Sequence, residues 1–68
     1  MKVYTFETKV GYFEYYDLKT TRNKALEVAK QINDEVLVTC VNKPSYRMDW
    51  FLALPNGNFI KSVSGISF

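Results

Sequence analysis

Between Thr20 and Asp34 the apolar residues Ala25, Val28, Ala29 and Ile32 recur at i, i+3, i+4 and i+7, with Leu26 widening the stripe. Lys24, Glu27, Lys30, Gln31 and Asp34 occupy the far side. This spacing lays one apolar stripe along one face of an α-helix, and the hydroxyl of Thr20 or Thr21 is placed to cap its start. The two alanines allow close approach, so the helix is expected to lie directly on a sheet. The remaining apolar runs have a two-residue period or are short and apolar on both parities, so the chain has one helix with which to cover its strands. One helix shields one sheet face. With 68 residues there is room for one core, hence a single domain over 1–68.

Residues Lys2 to Thr8 alternate Val3, Thr5 and Glu7 with Tyr4 and Phe6, the period of a half-buried strand. After a turn at Lys9, Val10 and Gly11, Tyr12 to Tyr16 resumes a β-rich run and completes a hairpin. Its inward set is Tyr4, Phe6, Phe13 and Tyr15, because the opposite parity would bury Glu7 and Glu14. Glu35 to Val41 reads as a central strand, and Asn42 to Ser45 as a turn around Pro44. Tyr46, Met48, Trp50, Leu52 and Leu54 then alternate with Arg47, Asp49, Phe51 and Ala53. The first set is assigned to the core, with Trp50 beneath the helix.

Pro55-Asn56-Gly57 fits a type I turn with proline second and glycine left-handed before a bulge. That register sets Ile60 opposite Leu52 and Ile66 opposite Tyr46. The other face of this hairpin then carries Arg47, Asp49, Phe51, Phe59, Lys61 and Val63. The order ββαβββ, with a right-handed crossover through the helix, predicts an α+β domain with a mainly antiparallel five-stranded sheet ordered 2-1-3-4-5. Strands two and five form its edges.

The chain contains no histidine, which removes the commonest general base and metal ligand and with it Ser-His and Cys-His nucleophile systems. Cys40, the lone cysteine, reads as a small buried hydrophobe and permits no internal disulfide, favouring a reducing, cytoplasmic setting. The three glycines are scattered, so there is no phosphate loop. Glu7 and Glu14 read as solvated strand-face charges rather than an acid/base pair. No enzyme activity, metal or cofactor is expected. The first residues lack the apolar centre of a signal peptide, and no stretch approaches a membrane span.

What remains is a recognition surface. Tyr12, Tyr16, Phe51 and Phe59, with Arg47, Asp49 and Lys61, are expected on the face opposite the helix, where exposed aromatics mark contact with a protein partner. Heavy use of Lys, Asn, Tyr, Phe and Ile, whose codons are AT-rich, suits a phage or mobile-element product acting as an inhibitor or antagonist of a host protein. Two alternatives stand beside it. One is single-stranded nucleic acid stacked on Tyr12, Phe51 or Phe59 with phosphates on Arg47, Lys61 and Lys9, although a net charge of +2 with interleaved acids is thin for that role. The other is homo-oligomerisation through the edge strand at Tyr12 to Tyr16.

Overall fold

The computed structural model describes residues 1–61. The alternating segments form the strands β1 (Lys2–Thr8) and β2 (Gly11–Tyr15), followed by α1 (Leu18–Ile32), β3 (Val36–Asn42), β4 (Arg47–Ala53) and β5 (Phe59–Lys61). All neighbouring pairs are antiparallel, in the order β2-β1-β3-β4-β5. The helix covers one face, making an α+β domain of the expected architecture. Tyr4 and Phe6 are buried on that face, with Phe13 and Tyr15 packed beside them. Among the described residues no helix is long and apolar enough to cross a membrane.

The helix begins earlier than the threonines suggest. Asp17 is extended, and its carboxylate accepts the Thr20 amide at 2.8 Å, satisfying one of the amides that a helix start leaves free. Thr21 is instead a buried residue of the stripe, four positions before Ala25, and its hydroxyl donates to the Asp17 carbonyl at 2.7 Å. At the other end Asn33 takes a left-handed conformation, while the amides of Asn33 and Asp34 donate to the carbonyls of Lys30 and Ala29. This is a Schellman stop, with asparagine where glycine is usual.

The β4–β5 turn forms as expected. The Gly57 amide donates to the Leu54 carbonyl at 3.0 Å, Gly57 has φ +98°, and Leu52 pairs with Ile60. A Cβ at Gly57 would meet nothing within 4 Å, so the effect of Gly57→Ala is confined to the backbone. Thermal or urea denaturation is expected to show a loss of about 1 kcal/mol, the usual penalty for a side chain at positive φ. Full retention of stability would contradict the left-handed turn. The expected pairing of Ile66 and the placement of Val63 lie outside the described residues.

One assignment is reversed. Val36, Val38 and Cys40 of β3 face the helix, and their partners across β4 are Ala53, Phe51 and Asp49. Phe51 and Phe59 therefore pack against the core, stacked at 5.2 Å and 10°, and Phe51 also lies 6.5 Å from Tyr4. Met48, Trp50, Leu52 and Ile60 fall on the opposite face. The reason is the β1–β3 register: Tyr4 pairs with Cys40, so Val36, Val38 and Cys40 share the face of Tyr4 and Phe6 and carry Asp49, Phe51 and Ala53 of β4 with them, while Lys43 to Tyr46 form the loop and Tyr46 turns back at φ +59°. Small Ala53 is fully buried in the core while the two phenylalanines fill the flank. Phe13 fills the other flank, stacked on Phe6 at 4.9 Å, with the Lys24 ammonium 5.5 Å above its ring.

Candidate interaction surface

The pairing registers lay out the uncovered face row by row. Val3, Val41 and Met48 form one row across β1, β3 and β4, with Tyr16 just beyond the end of β2 beside it. The next row runs Glu14, Thr5, Thr39 and Trp50. A third carries Leu37, Leu52 and Ile60, with Glu7 and Tyr12 on the β1–β2 side. Two patches result. On β3, β4 and β5, Trp50 and Leu52 are half-buried among Leu37, Met48 and Ile60, of which Leu37 is 53% and Ile60 47% exposed. At the β2 edge, Tyr12 and, just past the strand, Tyr16 are 59% and 62% exposed.

Glu14 ties those two tyrosines together. The Tyr16 hydroxyl donates to Oε2 at 2.7 Å and the Tyr12 hydroxyl to Oε1 at 3.2 Å. These bonds, Tyr16 first, hold the Glu14 carboxyl below its ordinary range, and the same carboxylate raises the Tyr16 phenol. All three line a depression of about 360 Å³ together with Met1, Val3, Thr5, Val41 and Lys43.

The seven residues singled out from the sequence are thus divided between two faces. Tyr12 and Tyr16 lie on the uncovered face as expected. Phe51 and Phe59 belong to the core side, Lys61 sits opposite Phe51 on the edge strand, and half-buried Asp49 is opposite Cys40. Arg47 shares their parity at the exposed start of β4. The residues missed were Leu37, Met48, Trp50, Leu52 and Ile60. The available signal was Thr39: it marks the odd parity of β3 as the more polar one, and carried through a hairpin with an even number of loop residues it sets Trp50 on the same face.

The other chemical candidates gain nothing from geometry. Cys40 is buried, and burial pushes its thiol up, away from the thiolate that reactivity requires. Glu14 ionises more readily than usual, the opposite of what a general acid near neutrality needs. Among the described residues no cluster of three or more His, Cys, Asp or Glu side chains is arranged to hold a metal ion. No protein-family model, curated protein or solved structure matches the chain.

Proposed function

We propose that this chain is a small, non-catalytic protein-binding module that occupies a site on a partner protein through its uncovered sheet face, as an inhibitor or antagonist does. The observation that carries the reading is the apolar and aromatic face itself, with Trp50 at the centre of one patch and Tyr12 and Tyr16 in the other. Such contiguous surfaces on small proteins serve contact, and tryptophan and tyrosine are the side chains that contribute most when an interface closes over them. The absence of histidine supports a role without catalysis. A phage or mobile-element product blocking a host protein in the cytoplasm fits the size, the codon character and the single free cysteine. Nucleic-acid binding is the weaker reading, because Arg47 and Lys61 lie on the parity opposite the exposed rings while Glu7 and Glu14 share theirs.

The test is capture from the native host followed by reconstitution with the purified captured protein, comparing the wild type with Trp50→Ala and with Lys30→Ala on the exposed helix side. Truncating a central aromatic anchor costs about 2 kcal/mol or more, so affinity for Trp50→Ala is expected to fall at least about 30-fold while Lys30→Ala is unchanged. Equal affinities would remove the surface. A mass that doubles in the wild type and returns to the monomer in Trp50→Ala would assign it to self-association instead. Saturable, salt-sensitive binding of a single-stranded oligonucleotide would favour the nucleic-acid reading.

A further inference from the structure

We propose that Tyr12, Glu14 and Tyr16 form a clasp for an arginine side chain of the protein partner. The inference rests on the protein-binding reading only for the source of that arginine. Alternation along β2, continued by the residue that follows it, puts Tyr12, Glu14 and Tyr16 on the uncovered face at the sheet edge, two residues apart. The tyrosyl hydroxyls converge on one carboxylate from opposite sides, one on each oxygen, at 2.7 and 3.2 Å. A carboxylate oxygen has two lone pairs, so each keeps one acceptor position after these bonds form.

Among the described residues no cation bonds to those positions, although Lys43, which lines the same depression, adds a longer-range attraction to the carboxylate. Among the described residues the one ion pair is Lys24 with Glu27 on the helix, and the Met1 ammonium donates to the Lys43 carbonyl at 2.9 Å. Glu14 is therefore a fixed, ionised and exposed acceptor, flanked by two rings and held by neutral donors. A planar guanidinium matches it in three ways. Its forked N–H groups engage both carboxylate oxygens at once, its charge meets an unpaired anion, and its faces lie well against tyrosine rings. An ammonium meets only the second condition fully. A divalent cation is a poor match, since hard cations collect six or more oxygens and this site offers one carboxylate. Because the tyrosines already hold the carboxylate in place, little ordering remains to be done on binding.

The register also gives the spacing of the ligand. Glu14 and Trp50 stand in one row with Thr5 and Thr39 between them. Three strand spacings separate their backbones by roughly 14 Å. A partner segment that seats an arginine on Glu14 is thus able to lay an apolar side chain on the Trp50 patch about four extended residues away.

The peptide acetyl-Arg-Gly-Ser-Gly-Leu-amide and its counterpart with citrulline, the uncharged isostere of arginine, provide the probes. Each is titrated into the isotopically labelled chain while backbone amide shifts are followed. The arginine peptide is expected to shift residues 12–16 saturably and to bind at least about tenfold more tightly than the citrulline peptide, the usual scale for a charged hydrogen-bonded pair. In Glu14→Gln, checked for folding by circular dichroism, that preference is expected to vanish. Tyr16→Phe is expected to reduce it. Equal titration of the two peptides, no binding by either, or an arginine preference that survives Glu14→Gln would overturn the clasp. The probes need no natural partner, so the two readings fail separately. A lost arginine preference with Trp50-dependent capture intact removes only the clasp, and a preserved preference without any captured protein removes only the protein-binding role.

Discussion

Phe51→Ala is expected to lower the thermal midpoint by roughly 12–24 °C, whereas Trp50→Ala, one residue earlier and larger by volume, is expected to lower it far less. Phe51 faces the helix side, partly buried against the core opposite Val38, with Tyr4 at 6.5 Å and the ring of Phe59 stacked on it at 5.2 Å. Removing it leaves a hole that Val38, fully buried in the middle strand, is poorly placed to fill, so about 3 kcal/mol is lost. That loss is large here. A chain of 68 residues at about 0.05–0.15 kcal/mol per residue has roughly 3–10 kcal/mol in total, and in domains of this size each kcal/mol moves the midpoint by about 4–8 °C. Trp50 stands on the uncovered face opposite Thr39, half-buried by its neighbours and with no helix above it. Its truncation forfeits cross-strand packing worth about 1 kcal/mol. Scanning calorimetry of the two variants reads the difference directly, and equal losses would mean that β4 presents both sides to a packed layer.

This pair of residues also shows where the sequence stops being legible. The helix was readable because its stripe is apolar on one side only, and the first hairpin because Glu7 and Glu14 veto one parity. The sheet order followed from the handedness of a single crossover, and the last turn from a proline and a glycine in fixed positions. β3 and β4 offered no comparable veto. Val36 to Val41 is apolar on both parities apart from Thr39, and β4 sets Met48, Trp50 and Leu52 against Asp49, Phe51 and Ala53. Ranking by bulk and avoiding Asp49 favoured the first set. The fold decided otherwise because Asp49 sits nearer the open end of β4, only half-buried, while Ala53 fits where the core is tightest. The candidate surface inherited that error: its tyrosine half was in the sequence, and its tryptophan half depended on which parity of β3 faces the helix, a choice that a strand apolar on both sides leaves open. The Glu14 clasp depends on where two hydroxyls point, which strand alternation suggests but does not determine.

Ala29→Leu is expected to destabilise the domain by about 2–3 kcal/mol, although it raises apolar content and keeps a good helix former. Ala25, Val28 and Ala29 are all fully buried, and together with Val36, Val38, Cys40 and Ala53 they make one cluster with the sheet. Small side chains on the facing side of a helix bring its backbone close to the strands, which is how so short a helix covers the centre while Phe13 and Phe51 fill the flanks. Three added carbons at Ala29 have no space to enter, so the helix must lift or roll, and overpacking of this kind costs about 1–3 kcal/mol. The lift has a second consequence. Ala25 lies one turn away on the same stripe, so the displacement forced by leucine at 29 opens room at 25. The double variant Ala25→Leu/Ala29→Leu is therefore expected to lose less than the sum of its single losses, with a coupling on the order of 1 kcal/mol, as neighbouring core sites show when they share one backbone shift. Urea denaturation of the four members of the cycle measures it. Strict additivity would mean that each leucine is absorbed by its own side-chain neighbours, and a neutral or stabilising Ala29→Leu would mean that the helix rides higher above the sheet than its fully buried alanines indicate.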